Sequence, residues 1–302
     1  MAKLLAHYKN GNYNVKLFDD GTKIRYNNLD NLTPEFAESN DIEITNCCDG
    51  GCEYCYMNCT PQGKHANLHH PIFDTIHSGV EIALNGNDLT HPDLEDFLIR
   101  MKDKGVICNL TVNQKHLHKN IEKLKDWQDR KLIWGIGVSL TDSTDKTLIE
   151  DMNILKNTVL HVIDGLFTKQ DMENLKNNNI KVLILGYKMV GRGIPYYNAH
   201  KKEIDANIEY LKKELFPHKK YFNGLAFDNL SIEHLDVQNQ VSEESWNLHN
   251  MGNEGEYTFF ISLPDNTYAI SSLESDNIFP IKDIDTFDTM FQHIRKVAGH
   301  DK

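Results

Sequence analysis

From about residue 41 onward, short runs of β-branched and other apolar residues exchange with stretches whose apolar positions recur every three or four residues. Strand-period runs alternating with helix-period runs are the pattern of repeated βα units around a mainly parallel sheet. Ile42-Glu43-Ile44-Thr45 predicts the first strand, and residues 80–84, 106–112, 133–140, 159–163 and 180–185 predict five more. Between them, Leu94, Phe97, Leu98 and Met101 make one helical face, opened by Thr90-His91-Pro92-Asp93 and ended at Gly105. Leu148, Met152 and Leu155 mark a second helix, and Thr168 caps a third carrying Met172 and Leu175. Ile204, Ile208, Leu211 and Leu215 mark a fourth, which Pro217 stops.

Six βα units in about 180 residues are too few for a closed eight-unit barrel, so the expected α/β fold is a partial, TIM-like (β/α)6 barrel. Ahead of it, Tyr13, Val15 and Leu17 alternate with polar residues, Asp20-Gly21 supplies a turn, and Ile24 and Tyr26 return: a β-hairpin. Behind it the chain is β-leaning, with a strand near Leu230–Leu235, a hairpin across Asp265-Asn266 and a terminal helix from about Thr286. The expected division is a hairpin extension over 1–40, the barrel over 41–222 and a β/α extension covering it over 223–302.

Charge narrows the partners. With 32 basic against 44 acidic residues the net charge is −12, which disfavours a broad nucleic-acid footprint. No run of about 18 apolar residues exists to span a membrane, and the N-terminus lacks the apolar stretch of a signal peptide. Five of the six cysteines fall between positions 47 and 59 and the sixth is Cys108, a clustering that suits a cytoplasmic metal site rather than a disulfide scaffold.

Within that cluster Cys48, Cys52 and Cys55 stand in C-x3-C-x2-C spacing, with Tyr54 before the last cysteine and Gly50-Gly51 allowing a tight curl. Soft thiolates on one loop suit an iron–sulfur cluster or zinc. Three ligands leave one iron of a [4Fe–4S] cluster open, whereas structural zinc closes its tetrahedron. A zinc loop completed by Cys47, Cys59 or His65 is the alternative; otherwise Cys47 and Cys59 are bystanders and Cys108 packs in the core.

The spacing, the preceding strand, the aromatic residue and the βα series together resemble the radical S-adenosylmethionine (SAM) superfamily. The resemblance implies a [4Fe–4S] cluster on Cys48, Cys52 and Cys55 that binds SAM and cleaves it to a 5′-deoxyadenosyl radical, which takes hydrogen from a substrate. It also implies a cofactor site at Tyr54, at Gly86 and Asn87 (where the family's Gly-Gly-Glu motif would stand), at Asn113, at Ser139 and at Gly165. Thr60-Pro61-Gln62-Gly63-Lys64-His65, Thr111-Val112-Asn113-Gln114, Leu185-Gly186-Tyr187-Lys188, Gly191-Arg192-Gly193 and Phe227-Asp228-Asn229-Leu230 with Glu233 are similar to a radical SAM group common in phages and prophages, whose second motif carries asparagine.

Catalytic candidates are His65, after the cluster loop, and Lys188 and Arg192, after the sixth strand, which could neutralise a carboxylate or phosphate. His116 and His118 could pair as substrate ligands or acid–base groups. The expected partners are a small polar substrate, such as a nucleotide or modified base, and a reductant such as flavodoxin or ferredoxin. The alternatives are radical modification or activation of a peptide or protein, and a non-catalytic iron–sulfur or zinc module.

Overall fold

The computed structural model describes residues 2–29 and 31–300. Alternation sorts the side chains of its large sheet onto two unlike faces. Ile42, Ile82, Leu84, Cys108, Leu110, Val112, Ile136, Val138, Leu160, Val162, Val182, Ile184, Phe259 and Ile261 all point one way and are buried in the main core. The neighbouring positions, Asp41, Glu43, Asn85, Asn87, Asn109, Thr111, Asn113, Ser139, His161 and Ser262, point the other way and are polar.

The ten-stranded sheet comprises β4 (Ser39–Glu43), β5 (Glu81–Asn87), β6 (Ile107–Asn113), β7 (Ile136–Ser139), β8 (Thr158–Ile163), β9 (Lys181–Leu185), β10 (Gly224–Phe227), β11 (Thr258–Ser262), β12 (Thr267–Ala269) and β13 (Ile278–Pro280). Its order is β10-β9-β8-β7-β6-β5-β4-β11-β12-β13. Pairing is parallel from β10 through β4 to β11, and antiparallel across β11-β12-β13. The fold is therefore α/β with one large, mostly parallel sheet.

Helices cover the apolar face. They are α1 (Leu94–Asp103), α2 (Gln114–Leu117), α3 (Ile121–Asp129), α4 (Lys146–Ile154), α5 (Lys169–Leu175), α6 (Gly193–Glu214), α7 (Asn229–His234), α8 (Val237–Gln240), α9 (Glu243–His249) and α10 (Phe287–Val297). Thr168 and Thr286 each close a capping box, which fixes where α5 and α10 begin. The buried stripe of α10, Phe287, Met290, Phe291 and Ile294, sits in the same core as Phe259.

Three expectations change. The hairpin across Asp20-Gly21 is present as β2 (Tyr13–Phe18) and β3 (Lys23–Tyr26), but β1 (Leu4–Asn10) joins it to make a three-stranded sheet. The segment near Leu230–Leu235 is helical rather than extended, because the Asp228 carboxylate accepts the Ser231 N–H at 2.8 Å and starts α7. The parallel run also continues past the six expected strands, through β10 at one side and β11 at the other.

The small sheet lies at the N-terminal ends of the large one. Glu38, immediately before β4 and 0% exposed, accepts from Tyr13 Oη and from Arg25 Nε at 2.9 Å. Lys23 Nζ reaches Glu81 at 2.8 Å. A carboxylate this buried persists only because several donors compensate it, so these contacts fasten the small sheet to the base of the large one. The opposite ends, where the strands run into the loops, are left for chemistry.

Candidate active site

The loop from Asn46 to His65 leaves β4 and folds back on its own start. Cys48 N–H donates to Thr60 O at 2.9 Å, and Thr60 N–H to Asn46 O at 3.1 Å. Neighbouring strand ends hold its root. Asn85 accepts the Ile44 N–H and donates to Thr45 O, both at 2.7 Å. Asn87 donates to Thr45 O at 3.1 Å and to Cys47 O at 3.2 Å, and no donor reaches its side-chain oxygen among the described residues.

Two cations hold the far side. Arg192 donates to Cys52 O at 3.2 Å and to Cys59 O at 2.9 Å, and its backbone N–H donates to Cys55 O at 3.3 Å. Lys115 Nζ donates to Gly50 O at 2.6 Å. The turn that delivers Arg192 needs glycine at 191: its φ is +55°, and a Cβ there would lie 2.2 Å from Tyr56 O. Arg192 is thus a strap over the cysteine loop, not a free cation for substrate.

All six thiols are free. Cys48 Sγ accepts the Gly50 N–H at 3.3 Å, and Cys52 Sγ accepts the Asn113 amide at 3.6 Å. The Cys59 thiol donates to Cys55 and, with help from Arg192, brings the Cys55 pKa down to about 6 against the opposing effect of burial. Cys59 is correspondingly held protonated. Burial pushes Cys48 up. Cys47 turns away toward Pro61 O, and Cys108 is buried on the apolar face of β6, its thiol pushed up by desolvation. Among the described residues, no three His, Cys, Asp or Glu side chains converge as ligands of one metal ion.

Beside the loop lies a cleft of ≈220 Å³ whose lining includes Tyr54, Val162, Ile163, Gly165, Tyr196 and Asn207. Tyr54 meets Tyr196 edge to face at 5.6 Å. Asp164, 0% exposed, fixes the floor: its carboxylate accepts the N–H groups of Gly165 at 2.6 Å and Tyr187 at 2.8 Å, and His234 Nδ1 at 2.7 Å. The hydrogen bond to Asp164 raises the His234 pKa.

The structure thus brings Cys48, Cys52, Cys55, Asn87, Asn113 and Arg192 together, with Tyr54 and Gly165 lining the adjacent cleft. Ser139 ends β7 in register with Asn113 and His161. Gly86 is buried at a bulge where β5 shifts register against β6, and is a packing position. His65 is exposed and hydrogen-bonded to Thr45 at 2.9 Å. Lys188 Nζ donates to Ser272 at 2.9 Å and lies 4.2 Å over the Tyr56 ring; against the lowering effect of burial, Tyr56 first and then Asp228 and Asp41 raise its pKa.

His116 and His118 do not pair with each other. His116 Nε2 lies 2.7 Å from Asp49 of the loop, and His118 Nδ1 lies 2.9 Å from Asp151 on α4. Sequence reasoning passed over Glu43, Lys115, His161 and Asp164. Alternation along β4 and β8 places Glu43 and His161 on the polar face, a signal the sequence does carry. Burial pushes Glu43 up to about 7 and His161 down to about 4.

No family description and no curated protein matches the chain. Among solved structures the chain is similar to Streptococcus suis SuiB bound to S-adenosylmethionine, with a TM-score of 0.50 and 12% identity over 79% of this chain. The match spans 59% of the SuiB chain, and at this identity the likeness is one of fold. No helix among the described residues is long and apolar enough to cross a membrane.

Proposed function

We propose that the chain is a radical SAM enzyme whose [4Fe–4S] cluster is held by Cys48, Cys52 and Cys55. The observation that carries this reading is the cysteine loop itself: three free thiols in C-x3-C-x2-C spacing at the C-terminal mouth of a parallel sheet, braced from both sides. The similarity in fold to a protein solved with SAM bound supports it, and we read the sheet as an open barrel with the polar face as its lumen.

The donor set fits a cluster better than a zinc ion. Zinc needs ligands converging on one point, whereas a cuboid takes each sulfur on a different iron and tolerates thiols that stand apart. N–H donors directed at sulfur, here Gly50 at Cys48 and Asn113 at Cys52, are a recognised means of tuning such clusters. When bound, the reduced cluster and SAM supply a 5′-deoxyadenosyl radical that abstracts hydrogen.

The chain's own residues do the positioning. Arg192 and Lys115 fix the loop carbonyls. Asn87 has an open acceptor oxygen for the SAM ammonium, and Ser139 offers a hydroxyl at the next strand ends. The cleft of Tyr54, Ile163 and Gly165 suits the flat apolar faces of adenine. A ferredoxin or flavodoxin would supply the electron.

The test is anaerobic reconstitution followed by assay of 5′-deoxyadenosine with dithionite and SAM. Product from wild type and none from Cys52→Ala is expected. Zinc without acid-labile sulfide in the reconstituted protein would refute the reading.

A further inference from the structure

A second cavity, also ≈220 Å³, lies on the other side of the cysteine loop, between residues 56–58 and β11–β13. Three carboxylates, Glu43, Asp265 and Glu274, share it with the hydroxyls of Ser262, Ser271 and Ser272, and no basic side chain lines it. Lys188 stands next to this wall, but its ammonium is bonded to Ser272 and stacked on Tyr56.

Glu43 makes this more than a group of surface acids. It is only 6% exposed. Its Oε2 accepts from Ser262 at 2.7 Å, and its Oε1, to which no group donates among the described residues, stays open to solvent. The side chain is held in place by its surroundings with one carboxylate oxygen left open, and the cavity it lines is where a compensating charge fits. Glu43 also ends β4, the strand that leads into the loop bearing Cys48.

We propose that this cavity is the substrate pocket and recognises a small molecule through a cationic group, a primary ammonium or guanidinium, held by Glu43 and Asp265 with the serine hydroxyls around it. This rests on the enzyme reading above and sets aside the carboxylate or phosphate that Lys188 and Arg192 could neutralise. Three carboxylates in the lining would repel a phosphate or carboxylate; of the two cations read from the sequence as anion binders, Arg192 is held by the cysteine loop and Lys188 is already bonded to Ser272 and stacked on Tyr56 in the cavity wall.

Titration calorimetry on the whole chain tests the pocket, with putrescine and agmatine as cationic probes and AMP and glutarate as anionic ones. Saturable binding of the cations is expected, weakened roughly tenfold or more by Asp265→Asn, the loss expected for one charge-assisted hydrogen bond. Asp265 is exposed, so this variant should fold. The isosteric Glu43→Gln should weaken the cations similarly, with folding checked by circular dichroism. Binding of AMP or glutarate in place of the cations, or cation binding indifferent to both substitutions, would overturn the proposal. The 5′-deoxyadenosine assay separates the two ideas. SAM cleavage without cation binding sinks the pocket alone, whereas cation binding without SAM cleavage supports the pocket and counts against the radical reading.

Discussion

Asp164 is the most economical place to test how the cleft is held. Its carboxylate is fully buried and accepts three donors: the N–H groups of Gly165 and Tyr187, and His234 on α7. Asp164→Ala strands two buried N–H groups, each at about 1–3 kcal/mol, and removes the partner of His234. The expected destabilisation is about 3–5 kcal/mol, which equilibrium urea unfolding should show as a fall in midpoint of about 1 M or more. Asp164→Asn separates charge from hydrogen bonding, because an amide oxygen still accepts both N–H groups while the amide nitrogen donates to neutral Nδ1. The sign of the pH effect follows from His234, whose pKa is raised in the folded chain. Its stabilisation is complete below the unfolded value of about 6.5 and is lost as pH rises through the folded value. Wild type should therefore lose stability over that window. In Asp164→Asn the slope should shrink to the residue left by the nearby Glu233 and Asp228 carboxylates. An Asp164→Ala chain within about 1 kcal/mol of wild type, or an Asn variant with an unchanged slope, would refute the reasoning.

Two further outcomes bear on the loop and the polar face of the sheet. Cys55→Ala should abolish cluster assembly, whereas Cys59→Ala should keep the absorbance of a reconstituted cluster and SAM cleavage; loss of iron from the Cys59 variant would make it a fourth ligand and an electron-carrier site the better reading. Gly137→Ala would place a Cβ 2.2 Å from the His161 ring. It should cost about 1–3 kcal/mol in urea unfolding, and a neutral result would show that His161 moves freely.

Much of this was legible in the sequence because it was local. The βα rhythm, the cap at Thr168 and the cysteine spacing depend on residues a few positions apart. Asn113 was also within reach, since it ends a strand and caps the next helix, leaving its amide free for Cys52. What escaped depends on distant partners. Arg192 between two glycines reads as a side chain offered to substrate; that it grips Cys52 and Cys59 follows only from folding together segments more than a hundred residues apart. The stretch from Leu230 reads as a strand by its apolar content, and the Asp228 cap that makes it helical is a single residue's effect. β10 is four residues long, too short for its alternation to stand out.

The pairing of β11 with β4 carries a consequence for biogenesis. Ser39–Glu43 lies inside the large sheet, yet one of its two neighbours, Thr258–Ser262, is made more than two hundred residues later. While the chain is emerging from the ribosome, β4 presents an open edge, a template for association with other nascent chains. The strand that launches the cysteine loop thus gains its second partner only after more than two hundred further residues have been made. Any chaperone protection of that edge should accordingly last until Thr258–Ser262 is made, and premature termination before Thr258 should yield aggregates rather than a smaller folded protein.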